Sequence, residues 1–285
     1  MAAKRTTGRG TAREKTAGKT VGKKPAGRRT GAERPAVEKP DIVVPGPGLR
    51  RWFRPRRYLS AVALMLVLLL ALPLVLMPVY RLSGARPIST LMLGRVLTLQ
   101  PVERHWVALD AIAPVMQQSV IMSEDGQFCF HRGVDLAELK AVVDDALDGG
   151  ATRGASTIPM QTVKNLYLWP QRSYVRKVFE IPYALVADAV WSKRRILELY
   201  LNIAEFGDGI FGVEAASRHY FKRPAAELSR RQAALLAVTL PNPGERNPAK
   251  PSKLHNKLAD RIERLSAKSG AYVKCLGARD RKEAG

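Results

Sequence analysis

Hydrophobic positions divide the chain into three regimes. Residues 1–48 carry almost no large apolar side chain before Ile42. Residues 58–80, YLSAVALMLVLLLALPLVLMPVY, are uncharged and mostly apolar throughout. From about Val102 onward apolar residues recur three and four apart with hardly any strict alternation, which predicts helices rather than strands. Polar punctuation marks where those helices begin. Asp135 with Glu138 opens DLAELKAVVDDAL as a capping box, and Gly149-Gly150 closes it. Ser156 and Thr157 are candidate caps for STIPMQTVKNLYL, whose Pro159 is tolerated in a first turn. Ser173 opens SYVRKVFEIPYALVADAVW, in which Pro182 predicts a kink. Ser192 precedes KRRILELYLNIAEF, and Ser229 with Gln232 forms a second capping box ahead of a run that Pro241-Asn242-Pro243 ends. A last amphipathic helix is predicted over 252–268. No repeat is visible, and the fold class is all-α.

The central apolar run is long enough to cross ~30 Å of hydrocarbon as a helix. Pro73 and Pro78 fit a spanning helix only where neighbouring groups satisfy the freed carbonyls. Charge sets its direction. Residues 1–57 hold 17 Lys and Arg against 4 Asp and Glu, a net +13 of the chain's +22, while residues 81–285 hold the remaining +9. With RRWFRPRR directly before the span, the N-terminus is expected in the cytoplasm and the rest of the chain across the membrane. The reading is therefore a disordered basic cytoplasmic tail over 1–57, a transmembrane helix over 58–80, a juxtamembrane linker over 81–95, a folded domain over 96–275 and a charged tail over 276–285. The basic tail is expected to meet anionic membrane lipids; a basic run alone gives no ground for specific nucleic-acid binding. Cys129 and Cys275 lack a C-x-x-C partner; across the membrane they could pair, but nothing in the spacing requires it, and two free, partly buried thiols are the expected state.

Candidate chemistry begins at IMSEDGQFCFHRGVD. Glu124 and Phe128 are four apart, so on one helix the ring would shield the carboxylate, raising its pKa and making it a better base near neutrality. The same stretch can be read as a metal cluster of Glu124, Asp125, His131 and Asp135, although those spacings match no metal signature, or as a structural helix end. RGASTIPMQTVKN places backbone amides at a helix start, with Lys164 and Asn165 two turns on. In RSYVRKVFE, Arg172, Arg176 and Lys177 surround Glu180: an ordinary helix ion pair, or a diphosphate site with a second carboxylate.

Five blocks in order, EDGQFCFHRGVD, GASTIPMQTVKN, RKVFE, KRRILELYLN and GIFGVEAASRHYF, resemble the successive motifs of the family 51 glycosyltransferases, the peptidoglycan glycosyltransferases. The single anchor and the size resemble the family's monofunctional biosynthetic members, and no Ser-x-x-Lys of a transpeptidase occurs. The resemblance covers roughly residues 95–245. It implies a lysozyme-like helical domain that polymerises lipid II into β-1,4 glycan with inversion and release of undecaprenyl diphosphate. By this similarity Glu124 is the general base on the acceptor hydroxyl. Glu180 sits near the donor diphosphate and helps organise cations or Mg²⁺ there. Lys164, Arg172, Arg176 and Lys177 match the basic residues around the leaving group, Ser156, Thr157, Gln161 and Asn165 line the cleft, and Phe128 belongs to a loop over substrate. Implied partners are lipid II, the growing lipid-linked glycan and cell-wall synthesis proteins. Met160 stands where the family usually has glutamine and removes a hydrogen-bonding group. Two rivals are a lysozyme-like lytic enzyme and a non-enzymatic membrane scaffold.

Overall fold

The computed structural model describes residues 55–147, 156–171 and 173–277. The basic tail up to residue 54, the Gly149-Gly150 helix stop, the Arg153–Ala155 turn, Arg172 and the tail beyond 277 lie outside the described residues. The chain is helical, as its patterning predicts. The helices are α1 (Pro55–Tyr80), α2 (Thr90–Leu97), α3 (Pro114–Glu124), α4 (Leu136–Leu147), α5 (Ile158–Tyr167), α6 (Tyr174–Val190), α7 (Lys193–Ile203), α8 (Val213–Phe221), α9 (Arg230–Ala237) and α10 (Lys253–Ala267). The polar punctuation marks real starts: Thr157, Ser173, Ser192 and Ser252 each accept a backbone N–H of the first turn. Asp135 accepts from the Ala137 and Glu138 amides, and Ser229 with Gln232 closes a full capping box. α6 runs through Pro182 unbroken.

Two packed layers meet at the site. α3 lies against α9 and α10, and α5 lies against α6 and α7. Met116, Val120 and Ile121 of α3 are fully buried, as are Ala233, Ala234 and Leu236 of α9. Ile196, Leu197, Leu199 and Leu201 bury the inner face of α7, each worth roughly 1.5–3 kcal/mol of transfer free energy. α2 begins inside the stretch read as linker: Ser89 caps it, Met92 is buried, and the Thr90 hydroxyl donates to the Leu168 carbonyl at 2.6 Å. Three strands of two or three residues, β1 (Glu103–Arg104), β2 (Glu205–Gly207) and β3 (Ile210–Phe211), form a small sheet in the order β1-β3-β2. They are too short for alternation to register in the sequence. The turn into α8 needs Gly212, whose φ is +82° and where a Cβ would meet the Asn202 carbonyl at 3.0 Å.

α1 carries the apolar span Tyr58–Tyr80, long and apolar enough to cross a membrane. Its second half is tied to the domain. Tyr183 of α6 donates to the Leu70 carbonyl at 2.8 Å, Trp191 Nε1 to the Met77 carbonyl at 2.7 Å, and Arg195 Nε to the Tyr80 carbonyl at 2.8 Å. Pro73 cannot donate to the carbonyl four residues earlier, and Tyr183 supplies its donor one residue beyond that point.

One expectation is overturned. Cys129, after α3, and Cys275, in the last 3₁₀ turn, form a disulfide with Cα atoms 5.5 Å apart. They are 146 residues apart, so their spacing carries no sign of contact. The chain beyond α10 returns to α7, where Arg194 donates to the Leu276 carbonyl and pairs with Asp110, and that return brings the thiols together.

Candidate active site

α3 ends at Glu124, and Asp125 leaves the helix with an extended φ of −161°. That break sends the adjacent carboxylates to different duties. Asp125 is buried and faces inward: the Ile158 N–H donates to Oδ2 at 2.8 Å, and His131 Nε2 lies 2.9 Å from Oδ1. It thus pins the end of α3 to the start of α5. Glu124 opens onto a cavity of about 510 Å³, lined also by Ser123, Asp125, Ser156, Arg261 and Tyr272. Ser123 Oγ donates to Glu124 Oε1 at 3.3 Å and Gln161 Nε2 to Oε2 at 3.1 Å. Burial pushes the Glu124 pKa up, while these two hydrogen bonds and the charges of Lys164 and Arg246 oppose the rise.

The break also corrects the reading of Phe128. It lies outside α3 and does not share a face with Glu124. Its ring is fully buried, with Lys193 Nζ 4.9 Å from the centroid, so it packs inside the domain. Gln161 of α5 covers the carboxylate instead. The metal-cluster reading fails on the same geometry. Asp125 and His131 bind each other, Asp135 caps α4, and no group of three His, Cys, Asp or Glu suited to a metal occurs among the described residues.

α5 links Glu124 to the second carboxylate. Glu180 on α6 is only 3% exposed, and both its oxygens are paired: Oε1 with Arg176 Nε at 2.7 Å, Oε2 with Lys177 Nζ at 3.2 Å. Lys177 also donates to Ser156 Oγ at 2.6 Å, which carries the cluster to the rim of the Glu124 cavity. Lys164 stands between the two carboxylates. Burial lowers its pKa, the charges of Glu180 and Glu124 raise it, and those of Arg176 and Lys177 lower it further. Arg176 is a brace as well as a charge, since Nη1 donates to the carbonyls of Trp169, Pro170 and Gln171 at 3.1, 2.7 and 2.7 Å.

The other expected residues divide by role. Asn165, Gln161 and Lys164 line a second cavity of about 240 Å³ together with Tyr200 and Glu205. Thr157 lines the Glu124 cavity, caps α5 and donates to the Gly133 carbonyl at 2.6 Å. Met160 is fully buried, so the replacement of the family's glutamine falls in the core and not in the cavity. Sequence reasoning missed Arg246, Arg261, Tyr272 and Tyr200. The first three reach Glu124 from chain more than a hundred residues away, and no local pattern announces them. Tyr200 sits inside the quoted ELYLN block but reads there as one more apolar position.

The transglycosylase family profile matches residues 91–268. A biosynthetic peptidoglycan transglycosylase of Mesorhizobium japonicum is 60% identical over 229 residues, 80% of this chain and 94% of that one. One of Rhizobium johnstonii is 56% identical over 230 residues, 81% of this chain and 94% of its own. One of Brucella suis is 59% identical over 217 residues, 76% and 97% respectively. With the profile matched over residues 91–268 and these relatives 56–60% identical over most of their length, the chain belongs to the transglycosylase family.

Proposed function

We propose that this chain is a membrane-anchored peptidoglycan glycosyltransferase that joins lipid II units through Glu124. The observation that carries the reading is the seam along α5. A carboxylate with a raised pKa opens on a cavity at one side, and a buried Lys/Arg/Glu cluster lies at the other, with Lys164 coupled to both. The acceptor's 4-hydroxyl attacks the donor's anomeric carbon, the bond from that carbon to the diphosphate oxygen breaks, and Glu124 takes the hydroxyl proton. Lys164, Arg176 and Lys177 offset the charge left on the diphosphate. No acid is needed for such a leaving group. A lytic glycosidase does need one, and Glu124 would serve it too; the membrane anchor and the Lys164, Arg176 and Lys177 cluster favour the diphosphate donor. Glu180 would hold a Mg²⁺ accompanying the diphosphate, which would add to the neutralisation of its charge, and no step is routed through it.

The anchor and the disulfide fit a domain on the oxidising, extracytoplasmic side of the membrane. α6 rests against the second half of α1 and exposes Val175, Val178, Leu185 and Val186, which suits contact with lipid and access to a lipid-linked donor. The test is glycan formation from labelled lipid II by the detergent-solubilised protein, beside Glu124→Gln and Glu180→Gln. Polymer from the wild type and none from a folded Glu124→Gln is the expected result. Equal polymer from both would remove Glu124 from the mechanism.

A further inference from the structure

Tyr200 is fully buried on α7, and its hydroxyl donates to Gln161 Oε1 at 3.1 Å. The other end of that amide donates to Glu124 Oε2 at 3.1 Å and to the Ser156 carbonyl at 3.4 Å. A primary amide can turn over, exchanging oxygen for nitrogen at nearly unchanged shape. Turned over, Gln161 would aim its oxygen at the Glu124 carboxylate. It would also leave the buried phenol proton without its acceptor, which is unfavourable in a buried site. The turned-over amide suits only a protonated Glu124, whose O–H could donate to it.

We propose that Tyr200 is a positioning residue for Glu124: through Gln161 it fixes which end of the amide meets the carboxylate and so holds Glu124 in its proton-accepting form. This deepens the proposed function and rests on Glu124 being the base. The phenol is a dependable donor, since burial, with the Glu124 and Asp125 carboxylates nearby, pushes its pKa well up. The other groups facing Glu124 are Ser123 on its own helix, Lys164 on α5, Arg246 after α9, and Arg261 on α10 across the cavity. Asp135 and Glu138 line that cavity from α4 and the loop before it, with Tyr272 from the last turns. Glu205 shares the second cavity with Tyr200. None of these donates to Gln161 Oε1, and the Tyr200→Phe substitution changes only that one hydrogen bond while keeping the ring.

The expected effect follows from losing one hydrogen bond that favours the ionised form. The Glu124 midpoint moves to higher pH by about half to one unit. In the full chain in detergent, the acid limb of kcat/KM for lipid II polymerisation should move up by that amount in Tyr200→Phe, with activity recovering as pH is raised. Gln161→Leu should move it at least as far, and adding Tyr200→Phe to Gln161→Leu should move it no further. A uniform loss at every pH, or an additive double variant, would mean that Tyr200 only packs. A second readout does not need turnover. The pH dependence of urea unfolding is compared for wild type against Glu124→Gln, and for Tyr200→Phe against Tyr200→Phe/Glu124→Gln; each difference reports the Glu124 midpoint. If wild type makes no polymer, the proposed function falls while this comparison still decides the role of Tyr200. Identical midpoints in the two comparisons overturn it.

Discussion

Asp125 and Glu124 are neighbours of like chemistry, and replacing them should have opposite consequences for stability. Asp125→Ala strands two buried donors, the Ile158 N–H at 2.8 Å and His131 Nε2 at 2.9 Å. Each hydrogen bond to a charged group is worth about 1.5–3 kcal/mol, so the loss should be about 3–5 kcal/mol. For a domain of this size that lowers Tm by roughly 10 °C. Glu124→Gln should instead be neutral or stabilising. Burial raises the folded pKa of Glu124 above its usual 4.5, so the native state keeps its proton to higher pH than the unfolded chain. The stability associated with that proton is complete below pH 4.5 and is lost as pH rises through the folded value. The amide of the Glu124→Gln variant cannot titrate, so its advantage over wild type should grow across that window and then level off. Urea unfolding followed by tryptophan fluorescence, in detergent from about pH 4 to 8, spans the window and measures both. A loss below about 1 kcal/mol for Asp125→Ala, or a Glu124→Gln curve parallel to wild type at every pH, would refute this division of roles.

Three further outcomes follow from the same geometry. In the proposed mechanism Glu124 acts deprotonated and Lys164 protonated; burial raises the first pKa and lowers the second, so kcat/KM against pH should be a bell narrower than the span from 4.5 to 10.5. Breaking the Cys129–Cys275 bond by Cys→Ala at both positions should cost about 2–5 kcal/mol in urea unfolding, since it closes a long loop, and unreduced wild type should show no maleimide-reactive thiol. Arg176→Lys should lose most of the polymerising activity, because an ammonium can hold Glu180 but cannot also span the Trp169, Pro170 and Gln171 carbonyls; recovery to within about twofold of wild type in a lipid II assay would count against the brace.

What the sequence disclosed depended on distance along the chain. Ser173, Ser192, Ser229 with Gln232 and Ser252 are legible as helix starts because the donor they satisfy lies within the next turn. Glu180 with Arg176 and Lys177 is legible for the same reason, as one turn of α6. The disulfide, the Arg246 field on Glu124 and the Tyr200 hydroxyl are products of tertiary return, and no spacing rule reaches them. Phe128 is misplaced for a different reason. The i, i+4 rule does not hold across a helix end, and nothing between Glu124 and Phe128 announces the extended φ at Asp125.

That helix end is also why two carboxylates stand side by side. If α3 continued, Asp125 would face away from α5 by about 100° from Glu124, as successive helical residues do. Leaving the helix lets Asp125 turn inward and take the Ile158 amide at the start of α5. Ile158 lies one turn before Gln161, the residue that reaches back to Glu124. Asp125 thus sets the height at which α5 meets α3, and with it the distance between the Gln161 amide and the base. One carboxylate fixes the surroundings of the one beside it. Moving the pair apart by a residue would leave Glu124 in its cavity without the Gln161 hydrogen bond that opposes the rise of its pKa.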